Sequence, residues 1–219
     1  MLVYTVDQGR YISMADSLRR QPEGKRSLYV NLTNRCSCAC TFCLRQFKEM
    51  ARSSSLWLDE EPSAAEVQAV LQQIPWDFVG EVVFCGFGEP TMRLAVLIAL
   101  LGWIRQIHPG VRTRLNTNGL SDLVYGRDTA VDFAGGLLDT ISISLNASDE
   151  ERYLELTRSS FGQGSFAAML SFAVRCKAYV PDVVLTVVDH VEDDGEIAAC
   201  QKICDARGLR LRVRPYEAN

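Results

Sequence analysis

The fold is decided by the stretch Leu28-Tyr29-Val30-Asn31-Leu32-Thr33-Asn34-Arg35-Cys36-Ser37-Cys38-Ala39-Cys40-Thr41-Phe42-Cys43. Its first six residues predict a buried strand, since β-branched and aromatic side chains favour pleated structure. Cys36, Cys40 and Cys43 then follow with the spacing C-x3-C-x2-C. Three thiolates on one short loop can hold three corners of a cubane iron–sulfur cluster and leave the fourth iron open for chemistry. The stretch therefore predicts a strand that leads directly into a metal-binding loop.

Five further apolar runs predict strands, and helical patterns separate them. The later predicted strands are Glu81–Cys85, Val111–Asn116, Thr140–Leu145, Val183–Val188 and Leu209–Val213, and the predicted helices include Ala64–Ile74, Arg93–Ile107, Ser165–Tyr179 and Asp194–Arg207. Strands that alternate with helices indicate parallel βαβ units. Six such units are too few for a closed eight-fold barrel. We therefore expect an α/β fold, a partial (β/α)6 TIM barrel open on one side, over residues 28–214.

The composition is that of one globular domain, expected over residues 1–219. Residues 1–14 predict a small hairpin ahead of the barrel, with Asp7-Gln8-Gly9 as its turn. The net charge of −4 gives no general attraction to nucleic acid, and we expect no membrane association. No signal peptide is evident at the N-terminus. Eight cysteines in an unexported chain argue against a disulfide framework, so we expect a cytoplasmic, reduced protein.

Polar or unusual clusters occur where the predicted strands end. Gly86-Phe87-Gly88-Glu89-Pro90 follows the second strand, Asn116-Thr117-Asn118-Gly119 follows the third, and Ser144-Leu145-Asn146 closes the fourth. In parallel barrels the reactive groups lie at the carboxyl ends of the strands. These clusters and the cysteine loop therefore predict a functional site at that edge.

Taken in this order, the cysteine loop, the Gly-Glu-Pro turn and the Thr-Asn-Gly turn resemble the radical S-adenosylmethionine superfamily, over roughly residues 28–214. The resemblance implies an enzyme with a 4Fe–4S cluster on Cys36, Cys40 and Cys43. S-adenosylmethionine would bind the open iron and be cleaved reductively to a 5′-deoxyadenosyl radical, which abstracts hydrogen from the substrate. It also implies an external electron donor such as flavodoxin or ferredoxin.

The resemblance also assigns the cofactor contacts residue by residue. Gly88 and Glu89 match the turn that receives the methionine amino group, and Phe87 stands where the family usually has a paired glycine. The family's fifth-strand glycine motif is missing, with residues 185–189 in its place, so the manner of adenine binding stays open. The residues carried over as cofactor-binding are Phe42, Gly88, Glu89, Asn116, Thr117, Ser144 and Asn146.

Within the superfamily the chain most resembles the short TatD-associated radical proteins, for which no substrate is implied. We expect a small-molecule substrate. The alternatives are a glycyl-radical activase that acts on a protein and a heterocycle rearrangement of the deazaguanine-synthase type. Outside the enzyme class, a non-catalytic cluster-binding module stays open, although an electron carrier needs no open iron.

The remaining cysteines have simpler interpretations. Cys38 lies between the expected ligands and is interpreted as a bystander, with replacement of Cys36 by Cys38 as the alternative register. Cys200 and Cys204 lie one helical turn apart and could pair with Cys40 and Cys43 at a zinc site, but their spacing is wrong for zinc. His108 and His190 are too distant in sequence to support such a site. Cys85 and Cys176 are expected to be small core residues.

Overall fold

The structure is a computed structural model and describes residues 1–47, 55–189, 191 and 193–215; His190 lies outside them. The predicted alternation of strands and helices is confirmed. The strands are β1 (Val3–Asp7), β2 (Arg10–Ile12), β3 (Arg26–Val30), β4 (Val79–Phe84), β5 (Arg112–Thr117), β6 (Thr140–Ser144), β7 (Asp182–Val188) and β8 (Arg210–Arg214). The helices are α1 (Met14–Arg20), α2 (Leu44–Phe47), α3 (Ala64–Leu71), α4 (Leu94–Ile107), α5 (Ser121–Tyr125), α6 (Glu150–Thr157), α7 (Ser165–Cys176) and α8 (Asp194–Asp205). Short 3₁₀ turns cover Trp76–Phe78, Pro90–Arg93 and Ala130–Phe133.

The strands follow the order β2-β1-β3-β4-β5-β6-β7-β8 in one sheet. The chain divides into two compact units. The first unit comprises residues 1–35 and 49–115, and the second unit comprises residues 36–48 and 116–219. The prediction of a single domain is not tested by this division and stays a prediction.

The first unit contains the predicted N-terminal hairpin and the first three parallel strands. Gln8 and Gly9 both have positive φ, 47° and 74°, as a two-residue hairpin turn between right-twisted strands requires. The β1 strand also pairs antiparallel with β3, so the hairpin extends the sheet. From β3 onward the pairing is parallel, with Val30 opposite Phe84 and Phe84 opposite Leu115.

One helix of the first unit passes a length-and-composition test for a membrane span among the described residues. It comprises the Pro90–Arg93 turn together with α4. Leu97, Leu100, Leu101 and Ile104 of α4 are nevertheless fully buried within the protein. This i, i+3, i+4, i+7 stripe is typical of a helix that packs on a core, and we interpret α4 as a core helix.

The second unit carries a parallel sheet with two unlike faces. Ile143 and Leu185 lie opposite each other on the face that α7 covers, and both are fully buried. The other face is polar: Ser144, Thr186 and Arg212 lie in one row across β6, β7 and β8. This alternation follows from the two-residue period of a strand. It places hydrogen-bonding side chains on the face opposite to α7.

Candidate functional site

The cysteine loop belongs to the second unit and is fastened to the end of α6. The backbone N–H of Ala39 donates to the Thr157 carbonyl at 2.9 Å, and that of Thr41 donates to the Leu156 carbonyl at 2.8 Å. The last carbonyls of a helix have no partner within the helix, so the loop satisfies them. A third bond joins the N–H of Ser160 to the carbonyl of Ser37 at 2.9 Å. The loop is therefore held at three points by backbone hydrogen bonds.

The end of α6 is backbone-strained at Arg158. This residue has φ 47° and ψ 47°, the left-handed region, and its N–H donates to the Leu154 carbonyl at 2.9 Å. A side chain with a Cβ disfavours that conformation, which is why glycine is usual just after a helix.

Replacing Arg158 by glycine is expected to stabilise the protein. The free energy of unfolding should rise by roughly 0.5–1 kcal/mol, because the relief of strain exceeds the added entropy of the unfolded chain. Urea denaturation measures the change. Arg158→Ala is the matched control, since it removes the charge and keeps the Cβ. An equal gain in the alanine variant would contradict the backbone explanation.

The four loop cysteines differ in exposure and in acidity. Cys38 is only 5% exposed, whereas Cys36, Cys40 and Cys43 are half-buried. Hydrogen bonding to Cys36, and then to Cys40, raises the pKa of Cys38. The same bond from Cys38 is the main cause that lowers the pKa of Cys40, and burial raises the pKa of Cys43. This pattern favours Cys38 as the bystander and Cys40 as a thiolate ligand.

The strand ends of the second unit present unsatisfied acceptors. The Oδ1 atoms of Asn116 and Asn146 are buried and have no hydrogen-bond partner within the described chain. Asn146 is 4% exposed and has φ 64°; its N–H and that of Leu145 both donate to the Thr186 carbonyl. Buried acceptors are normally paired, so these two oxygens indicate a ligand with donor groups.

The other residues of the second unit that the resemblance assigns to cofactor binding are Thr117, Ser144 and Phe42. Thr117 is 4% exposed, and its hydroxyl oxygen accepts a bond from the N–H of Gly119 at 3.1 Å. Ser144 is half-buried on the polar face of β6, and Phe42 is half-buried in the turn before α2. Thr117 thus closes a turn, while Ser144 and Phe42 are accessible to a ligand.

In the first unit, the Gly86–Pro90 turn fits closely against the residues that precede the cysteines. A Cβ built on Gly88 would lie 2.2 Å from the Thr33 carbonyl oxygen and 2.7 Å from that of Arg35. The N–H of Glu89 donates to the Arg35 carbonyl at 2.8 Å. Only glycine permits this backbone approach.

The carboxylate of Glu89 is 4% exposed and caps the 3₁₀ turn that follows it. Its Oε1 accepts from the N–H of Thr91 at 3.0 Å and from the Thr91 hydroxyl at 2.8 Å. Phe87 is 6% exposed and packs with Tyr4, Tyr11 and Leu56. The phenylalanine that replaces the family's usual glycine therefore serves the core of this unit.

Residues 55–62 of the first unit run alongside the same turn. The amide of Asn31 donates to the Leu56 carbonyl at 2.6 Å. Asn34 forms a pair of bonds with the backbone of Leu58, at 2.7 Å to its carbonyl and 3.0 Å from its N–H. Trp57, half-exposed, lies edge-on to Phe87 with ring centroids 5.2 Å apart.

Glu61 completes this attachment through a charged network. Its carboxylate bonds Arg35 at 2.7 and 3.0 Å, Arg93 at 3.0 Å, and the hydroxyl of Thr33. The hydrogen bond from Arg35 is the largest cause that lowers the pKa of Glu61. The sequence pattern did not indicate Glu61, because its partners lie 26 to 32 positions away.

The cysteines outside the loop behave as core residues where they are buried. Cys176, Cys200 and Cys204 are fully buried. Burial raises the pKa of Cys176, and it raises that of Cys204 to about 11. Cys85 is half-buried. Neutral thiols in an apolar setting act as small hydrophobic side chains.

The donor set of the loop suits a multi-iron cluster. Among the described residues, no three His, Cys, Asp or Glu side chains lie close enough to hold a single metal ion. Each thiolate of a 4Fe–4S cluster binds a different iron, so the ligands need not meet at one point. Three half-buried thiols on one anchored loop fit that group.

Known proteins of similar sequence were found by comparison with family models and with curated proteins. The family model of the radical SAM superfamily matches residues 30–202. The chain is 30% identical over 200 residues to the probable GTP 3',8-cyclase of Methanopyrus kandleri, covering 91% of this chain and 59% of that protein. It is 31% identical over 193 residues to the GTP 3',8-cyclase of Corynebacterium glutamicum, covering 85% and 48%. The chain thus spans about half of the curated relatives it matches.

A solved structure confirms the predicted fold class. Streptococcus suis SuiB, bound to the precursor peptide SuiA, matches with a TM-score of 0.68 at 17% identity, over 93% of this chain and 43% of SuiB. At that identity the likeness concerns the fold alone. The α/β prediction of an open, partial barrel is confirmed. Because the family model covers most of its length, the chain belongs to the radical SAM superfamily.

Proposed function

We propose that Cys36, Cys40 and Cys43 are the cluster ligands of this radical SAM enzyme. The superfamily uses a 4Fe–4S cluster and S-adenosylmethionine, and the chain is an enzyme of that class. The observation that carries the ligand assignment is the difference in exposure among the loop cysteines: Cys36, Cys40 and Cys43 are half-buried, whereas Cys38 is buried.

We propose the residues carried over from the superfamily as contacts for S-adenosylmethionine. In the second unit, the buried Oδ1 atoms of Asn116 and Asn146 are acceptors for its donor groups. Thr117 and Ser144 lie next to them in sequence, and Phe42 is proposed from the cysteine loop. In the first unit, Gly88 and Glu89 provide the turn for the methionine amino group. When the 4Fe–4S cluster and S-adenosylmethionine are both bound, they supply a 5′-deoxyadenosyl radical for hydrogen abstraction.

The substrate proposed for testing first is a purine nucleoside triphosphate, GTP. The curated relatives named above are GTP 3',8-cyclases, which fits the small-molecule prediction and, loosely, the heterocycle alternative. The charge pattern of β8 supports an anionic ligand. Arg210 is neutralised by Asp182 at 2.8 Å, whereas the Nε of Arg214 is buried without a partner among the described residues. Guanidinium groups bind phosphate well.

The experiment is an anaerobic assay of the cluster-loaded protein with dithionite and S-adenosylmethionine. With GTP present, 5′-deoxyadenosine should form faster. A 3',8-cyclisation forms a bond at C3′ of GTP and removes the hydrogen there. Deuterium placed at C3′ of GTP should therefore appear in the 5′-deoxyadenosine. ATP is the matched control, with the same triphosphate and a different base. Deoxyadenosine without stimulation by GTP would exclude GTP and keep the superfamily chemistry. No deoxyadenosine under any condition would contradict the radical mechanism.

Three broader expectations belong to the same proposal. Radical SAM enzymes take a small-molecule or peptide substrate and an electron donor; for this chain we propose a reduced flavodoxin or ferredoxin as donor. We propose a cytoplasmic location, where thiols stay reduced, and one functional domain over residues 1–219. The TatD-associated subtype stays a prediction.

A further inference from the structure

Asn118 makes direct contact with the cysteine loop within the second unit. Its Nδ2 lies 2.9 Å from the Ser37 hydroxyl oxygen, 3.6 Å from Cys38 Sγ and 3.9 Å from Cys36 Sγ. An amide nitrogen carries two hydrogens. One can serve the serine, and the other is available to the two sulfurs. The backbone N–H of Cys38 also donates to Cys36 Sγ, at 3.4 Å.

The orientation of this amide is fixed by its other end. Asn118 Oδ1 accepts a bond from the N–H of Leu120 at 3.0 Å. Exchanging oxygen and nitrogen would set two donors against each other, so the network assigns the nitrogen to the sulfur side. The turn itself is rigid, because Gly119 has φ 76° and a Cβ there would lie 2.7 Å from Ile143 Cγ2. The hydrogen bond to Leu120 therefore orients Asn118 Nδ2 toward the cysteine loop.

The geometry points to Asn118 as a positioning residue that holds the loop and donates a hydrogen bond to the cluster's thiolate at Cys36. This inference rests on the proposed function, since it takes Cys36 as a ligand. Hydrogen bonds to the sulfurs are one of the means by which a protein sets the reduction potential of an iron–sulfur cluster. A donor stabilises the more negative, reduced form, so Asn118 raises the potential and eases delivery of the electron.

The test compares the reduced fraction of the cluster, followed by electron paramagnetic resonance at a fixed ambient potential near the wild-type midpoint. Asn118→Leu removes the donor, and the ratio of reduced to oxidised cluster should fall roughly two- to tenfold. A tenfold fall corresponds to about 59 mV for a one-electron couple. Asn118→Asp keeps the acceptor for Leu120 and sets an anionic oxygen toward sulfur, so its fall should be at least as large. Ser37→Ala, which leaves the donor in place, should stay within about twofold of wild type.

If Asn118→Leu or Asn118→Asp retains the wild-type ratio of reduced to oxidised cluster, that result would overturn the inference. A second measurement uses the unaltered protein: with ¹⁵N-asparagine incorporated, pulsed resonance on the reduced cluster should detect a weak ¹⁵N coupling. Its absence would also overturn the inference, even if the variants fail to fold. Failure of the proposed function is distinct, because wild-type protein would then not bind about four iron atoms per chain.

Discussion

Replacing Cys36, Cys40 or Cys43 singly by alanine is expected to abolish the absorption of the iron–sulfur cluster. The rate of S-adenosylmethionine cleavage should fall by roughly 100-fold or more, which exceeds the loss typical of residues that only hydrogen-bond to metal ligands. Each change removes one of the three thiolates proposed as cluster ligands. Iron and sulfide content after anaerobic reconstitution, together with 5′-deoxyadenosine formation, measures the effect.

Cys38→Ala is the matched control for this series. It removes a cysteine from the same loop, and that side chain is 5% exposed. The variant should keep the iron content and lose only about 1 kcal/mol of stability from the smaller buried side chain. Loss of the cluster in Cys38→Ala with its retention in Cys36→Ala would show that Cys38 is the ligand.

Replacing Gly88 by alanine is the second change with a large expected effect. The added methyl group would lie 2.2 Å from one backbone oxygen and 2.7 Å from another, those of Thr33 and Arg35. Backbone cannot rotate aside as a flexible side chain can, so the strand-to-loop connection must move. We expect a loss of about 3 kcal/mol in the free energy of unfolding and a lower yield of bound iron, since Arg35 immediately precedes Cys36.

Gly102 provides the control for that substitution. It lies in the middle of α4, where an added Cβ would meet no atom within 4 Å. Gly102→Ala should therefore raise the free energy of unfolding by about 1 kcal/mol, because alanine is the better helix former. Thermal and urea denaturation of both variants give the comparison. Equal effects at the two sites would contradict the steric argument for Gly88.

The sequence was most informative about local features. The strand before the cysteines, the helices with regular apolar stripes and the turn at Gln8 and Gly9 follow from short-range patterns, and the structure contains them. The cysteine spacing also fixed the chemical class, because the three thiols and their loop are contiguous in sequence.

Long-range partnerships could not be obtained in the same way. Asn118 contacts Ser37 across 81 positions, and such a contact depends on strand register and turn geometry that no local pattern specifies. The attachment of the cysteine loop to α6 was likewise absent from the prediction, because backbone groups leave no trace in side-chain composition. Phe87 shows the reverse case: an apparent departure from the family pattern is explained once its apolar neighbours are known.

The hydrogen bonds between the cysteine loop and the end of α6 have a thermodynamic consequence. The N–H groups of Ala39 and Thr41 donate to the carbonyls of Thr157 and Leu156. Unfolding of the last turn of α6 must therefore break both of these bonds to the loop. By linkage, any group bound at the thiols adds its binding free energy to the helix, and fraying of the helix weakens that binding by the same amount. The metal affinity of this loop is thus partly a property of a helix that contributes no ligand to it.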